Sequence, residues 1–199
     1  MAKVFFHEAL EILSKGREFS AKLNFNWWNS WSNHFIGEVY FEMGQYKKAI
    51  NHYHAAASLF ESFGNWPSAT IVSKIGLART QILNNEDDVD LETLFRFVST
   101  AKVKLYEGWI RRYISEIYFG MNEERISEAE KWIKEAINAD ESNGVLFELG
   151  RDYSLYAEIL KRKRDESLSL EYFNKALDIF KKCGADGWAE KYEKELSTL

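Results

Sequence analysis

One cysteine and one proline among 199 residues set the first bounds on this chain. With Cys183 alone, no internal disulfide can form, and neither can a cysteine-based zinc or iron–sulfur cage within one chain. A lone proline, Pro67, leaves helices nearly uninterrupted. Charge of one sign is also scarce. The net charge of −5 comes from 26 basic and 31 acidic residues, split nine to eleven over residues 1–99 and seventeen to twenty over 100–199, so there is no basic arm or acidic tail. The longest basic run, Lys161-Arg162-Lys163-Arg164, follows the apolar stretch 156–160 and reads as a solvated helix end complementing the helix dipole. Nucleic-acid binding is therefore not expected. No uncharged stretch is long enough to span a bilayer, and the start, Met1 to Glu8, carries charge too early for a signal peptide. The expected setting is a reducing, cytoplasmic one without a membrane.

Catalytic signatures are missing as well. The sequence contains no H-E-x-x-H, G-x-S-x-G, G-x-G-x-x-G or phosphate-loop G-x-x-x-x-G-K-[ST], so neither an enzyme nor a cofactor is expected. His52 and His54, two apart, fall on different helix faces and not on one metal. The acidic insert 86–90 lacks the glycine and the glutamate of a calcium loop and reads as a turn with a helix cap at Asp90. Cys183 lies near a predicted helix end, where nothing lowers a thiol's pKa.

What is present is helix-period apolar patterning, with no alternation long enough to compete as a strand. It predicts helices over 4–23, 30–43, 46–63, 67–83, 91–105, 109–119, 127–138, 145–163, 166–182 and 186–196. Gly44 and Gly64 are placed as stops, Pro67 in a first turn, and Ser127 with Glu130 at capping-box spacing. Small residues recur in register: Gly37, Gly76, Ser115 and Gly150 in first helices, and Ala49, Ala129 and Ser169 in second helices, where a large side chain would hold a hairpin open. Tyr40, Tyr118 and Tyr153 fill a large-residue slot. The second repeat has Arg79 there, so it reads as degenerate, with a hairpin that opens easily across 77–94.

The run Ile36-Gly37-x-x-Tyr40-x-x-x-Gly44-x-Tyr46-x-x-Ala49-x-x-x-Tyr53-x-x-Ala56 resembles a tetratricopeptide repeat, with Asn33 standing where the family pattern has tryptophan. The resemblance extends in weaker form over 33–180. It implies an all-α fold: a right-handed α–α superhelix of about four hairpins (30–63, 66–105, 109–138 and 145–182), an N-terminal helix and a C-terminal cap at 186–196, as one domain over 1–199. The stretches Leu149-Gly150-Arg151-Asp152-Tyr153, Phe173-Asn174-Lys175-Ala176-Leu177 and Cys183-Gly184-Ala185-Asp186-Gly187-Trp188 resemble the helical-repeat tails of large bacterial signalling ATPases, which implies a docking or sensor role without the motor.

In such repeats the first helix of each hairpin lines a concave groove. Carried over by position, that surface comprises Trp31, His34, Glu38 and Phe41; then Thr70, Ser73, Leu77 and Gln81; then Trp109, Arg112, Glu116 and Phe119; then Phe147, Arg151 and Leu155. Aromatic side chains beside charges suit a peptide or helix of a protein partner. The family's carboxylate clamp needs Lys and Asn where this chain has His34 and Glu38, so a chaperone-tail ligand is not expected. Trp28 and Trp31 share a face if the helix begins early enough, either as an anchor for a partner or as cement between helices. The leading expectation is a non-catalytic protein-interaction module. The alternatives are a regulatory sensor binding a small effector and a scaffold that forms a homodimer through exposed solenoid ends.

Overall fold

The computed structural model describes residues 2–62, 64, 67–86, 89–98 and 103–197. Among them lie ten α-helices and two short 3-10 turns, and no strand. The helices are α1 (Ala2–Lys22), α2 (Asn26–Glu42), α3 (Tyr46–Ser62), α4 (Pro67–Leu83), α5 (Leu91–Val98), α6 (Glu107–Met121), α7 (Ile126–Asn143), α8 (Leu146–Arg162), α9 (Glu166–Lys182) and α10 (Asp186–Leu196). The chain divides into two compact units, Lys3–Lys102 and Val103–Leu199. In the first, α2 packs on α3, α3 on α4 and α4 on α5; in the second, each helix from α6 to α10 packs on the next. Both are all-α helical-repeat stacks.

Turn chemistry sets the repeat. The backbone enters the left-handed region at Asn24, Gly44, Gly64 and Asn85 in the first unit, and at Gly144, Arg164 and Gly184 in the second, every 20 or 21 residues. Four of these seven are glycines, which adopt that conformation without a Cβ clash. Gly44 and Gly64 thus stop their helices as the sequence predicted.

The small-residue register has a direct cause. A Cβ at Gly37 would stand 3.1 Å from the Tyr53 ring, and one at Gly76 2.9 Å from it, so Tyr53 of α3 is pressed against the backbones of both α2 and α4. In the second unit the Ser115 hydroxyl donates to the Ala129 carbonyl at 2.7 Å and the Ser169 hydroxyl to that of Ala157 at 2.9 Å. Each bond marks a close approach of two helices and satisfies a buried hydroxyl. Around Phe173 and Phe180 the second unit gathers Ala157, Ala176, Leu177, Ala189 and Tyr192 into its core.

Three local expectations are corrected. Ser127 does not cap α7: a 3-10 turn over Glu123–Arg125 precedes the helix, and the Asn122 side chain accepts the Arg125 N–H instead. Glu130, expected to close that box, is paired with Lys134 and Lys163. The helix predicted to run to 105 is described over Leu91–Val98 and has given way to a 3-10 turn by Lys104–Tyr106; residues 99–102, and Asp87 and Asp88 of the acidic insert, lie outside the described residues. Asn33 also acquires a reason. It is buried, donates to the Asn29 carbonyl at 3.0 Å and lies 3.1 Å from His52 Nδ1, so a polar bridge between α2 and α3 replaces the ring of the family pattern.

Candidate functional site

The first helices of the hairpins lie side by side within each unit, α2 against α4 and α6 against α8. The expected groove residues therefore lie on neighbouring helices. Their side chains divide into those that build the wall and those that reach its surface.

In the first unit the wall is a buried polar network. His34 is buried, with Nδ1 3.0 Å from the Ser73 hydroxyl of α4. Glu38 accepts from Arg79 Nη2 at 2.7 Å and from the Tyr53 hydroxyl, and the same Arg79 nitrogen lies 2.7 Å from that hydroxyl. The Arg79 guanidinium sits 3.6 Å from the centroid of the Phe41 ring. Arg79 is 0% exposed, so the slot that read as degenerate is filled, and the premise of poor packing at the second repeat fails. A guanidinium is accepted there because Glu38, Tyr53 and Phe41 together answer its charge and its flat face.

Trp31 is 7% exposed. It packs edge-on to Trp27 at 5.8 Å and to Phe60 at 5.2 Å, and stacks on Phe35 at 5.6 Å. Helix α2 does begin early enough to carry the tryptophan cluster, but the ring that shares Trp31's packing is Trp27, while Trp28 points outward at 62% exposure. Phe41 and Leu77 are half-buried.

The second unit uses the same device with a second arginine. Arg112 of α6 reaches α8, with Nη2 2.5 Å from Glu148, Nη1 3.0 Å from Asp152 and Nη1 3.4 Å from the Glu148 carbonyl; Glu116 on its own helix lies 3.8 Å from Nε. Burial alone would depress the guanidinium's pKa, but Glu148, Asp152 and Glu116 outweigh it and raise the pKa above the usual arginine range. Arg112, expected as an accessible groove charge, is fully buried and is the bolt of the α6–α8 seam.

Behind it, burial pushes the Asp140 carboxyl up to about 6 and Asp152 well above the ordinary aspartate value, with Asp140 adding to the Asp152 shift. Among the described residues no nitrogen or hydroxyl donor meets either oxygen of Asp140 or Oδ2 of Asp152. Asp140 presses on the first turn of α6, where a Cβ on Gly108 would fall 2.1 Å from Oδ1.

Trp109 is 6% exposed and packs edge-on to Tyr113 at 5.9 Å and Tyr106 at 6.3 Å. Phe119 is half-buried under the Arg162 guanidinium, 3.6 Å from its ring centroid, and its carbonyl accepts from Arg162 at 2.6 Å. Phe147 turns toward Phe180 and Trp188, at 5.9 and 6.2 Å, and the buried Arg151 guanidinium lies 5.3 Å from the Trp188 centroid. Thus Arg79, Arg112 and Arg151 each join one first helix to another: α4 to α2, α6 to α8, and α8 to α10. Of these three, sequence reasoning read Arg79 as a defect and the other two as surface charges. Glu38, Glu148 and Asp152 at about one repeat's distance from an arginine were the signal that could have found two of the bolts.

Residues 32–63, covering α2 from Ser32 and the whole of α3, match the family model described as tetratricopeptide repeat. No curated protein matches the chain. Among the described residues, no helix is long and apolar enough to cross a membrane.

Proposed function

From a helical-repeat chain that carries a tetratricopeptide repeat, and hence a protein-interaction module in general terms, we propose that the partner is a peptide or helix of another protein, held on the first-helix faces of each unit. The observation that carries this reading is the division of the expected site into a rigid wall and a reachable surface. Trp31, His34, Trp109, Arg112 and Arg151 lie inside. Phe41, Leu77, Glu116, Phe119 and Phe147 lie half-exposed on the same helices. Buried ion pairs contribute little net stability, but each fixes the spacing of two helices that present the surface. A wall fixed before the ligand arrives lowers the ordering cost of binding. In the first unit Leu77 supplies apolar area; in the second Phe119 does so, and Glu116 on the same helix favours a ligand with a cation beside its apolar residues.

A random-peptide display library panned on the immobilised protein tests this. Enriched peptides should carry a basic residue next to an aromatic or aliphatic one. Peptides held by the first unit should lose about tenfold in retention on Leu77→Glu protein, and those held by the second unit on Glu116→Gln protein, each with unchanged circular dichroism. Equal retention by the wild type and both variants refutes these faces as the site. Arg112 is unsuited to the purpose, because its reversal would place a fifth acid among Glu116, Asp140, Glu148 and Asp152.

A further inference from the structure

We infer that the outer face of α1 is a self-pairing surface, on which a second copy of the chain lays its own α1 antiparallel. A helix of such a stack that faces water needs a polar outer face to stay soluble. Helix α10 has one, with Glu190, Lys191, Glu193 and Lys194 exposed. Helix α1 does not: Phe5 is 39% exposed, Ile12 63%, Phe19 65% and Leu23, just past the helix, 46%.

Phe5, Ala9, Ile12, Gly16, Phe19 and Leu23 follow one another at alternating spacings of four and three, the seam of a two-helix coiled coil. At 1.5 Å per residue that seam is about 27 Å long. One edge of the seam borders α2: a Cβ on Gly16 would meet the Ser32 hydroxyl at 4.0 Å, and Ser20, one turn on, is buried, so the second copy approaches over the other edge, where Glu8, Lys15 and Lys22 are exposed. On α2, Trp28 and Phe35 are exposed as well.

The order of sizes along the seam selects the partner and its direction. In an antiparallel pair, Phe5 stands opposite Leu23 of the second copy, Ala9 opposite Phe19, and Ile12 opposite Gly16. Small thus meets large in the four central layers of six, which is how helices interdigitate without voids. A parallel pair would set Phe5 on Phe5, Phe19 on Phe19 and Gly16 on Gly16, crowding some layers and emptying others.

Charges along one edge agree. The antiparallel register brings Glu8 beside Lys22 of the second copy at both ends of the seam, and neither residue is in an ion pair among the described residues. At the centre Lys15 meets Lys15 of the second copy, and each is already paired with its own Glu11 at 2.5 Å. None of these residues belongs to the proposed peptide surface, so either reading can fail alone.

Sedimentation velocity on the full chain over a concentration series tests the pairing. The wild type should dimerise, and Ile12→Lys or Phe19→Lys should be monomeric with unchanged circular dichroism. Glu8→Lys should weaken dimerisation by roughly tenfold, and adding Lys22→Glu in the same chain should restore most of it. A wild type that stays monomeric at high concentration overturns the proposal. So does a dimer unaffected by Ile12→Lys, or a double charge swap that fails to restore. Monomeric wild type that co-sediments with phospholipid vesicles would assign the stripe to a lipid surface instead.

Discussion

Replacing Arg79 by methionine removes a guanidinium that is 0% exposed and leaves Glu38, whose side chain is 10% exposed, with the Tyr53 hydroxyl but without its cation. Two contacts at 2.7 Å and a stacked ring at 3.6 Å are lost together. Removing one partner of a buried ion pair costs about 3–5 kcal/mol, more than the ~1 kcal/mol of an ordinary hydrogen bond. Glu38→Met should cost a similar amount, because it removes the carboxylate that faces the buried Arg79 cation. The double variant, with both partners apolar and of similar volume, should lie within about 1.5 kcal/mol of wild type. The two sites should therefore couple by roughly 3 kcal/mol or more in a double-mutant cycle. Urea unfolding followed by circular dichroism and tryptophan fluorescence measures all four corners. Additivity within about 0.5 kcal/mol would refute the argument that Arg79 acts through Glu38. Amide exchange on the wild type gives an independent check: residues 77–83 of α4 should be protected as well as 36–42 of α2, the reverse of the easy opening that the sequence suggested for them.

In the second unit, Asp140 has a raised folded-state pKa of about 6. Its contribution to stability is complete below the unfolded value near 4 and is lost as pH rises through about 6. Thermal unfolding at pH 5 should therefore exceed that at pH 7.5. Asp140→Asn should raise the midpoint at pH 7.5 and reduce this difference, whereas an unchanged pH difference in the variant would remove Asp140 as its source. At the α8–α9 turn, Arg164 holds a φ of 63° where four equivalent turns have glycine. Arg164→Gly should stabilise the protein by up to about 1 kcal/mol in urea unfolding, since a side chain costs ~1–2 kcal/mol in that conformation and glycine gives part of it back as entropy.

The sequence alone determined the helices, most boundaries to within two or three residues, and the small-residue register, because these follow from local propensity and from a periodicity visible in one strip of chain. Gly37 and Gly76 were legible as close-contact positions, although only the fold shows that one ring, Tyr53, demands both. Which side chains of the first helices are wall and which are surface was decided by tertiary structure. A helical pattern states that Trp31, Arg112 and Phe119 are on their helices, but not what stands across the seam. Arg79 shows the difference most sharply. By residue type it looked like a lost contact, and it became a buried bolt because Glu38, 41 residues away, and Tyr53, 26 away, converge on it. Burial and pairing of charge depend on neighbours that only folding assembles, and the heptad stripe of α1 is the converse: its pattern lay in the sequence, while its exposure among the described residues did not.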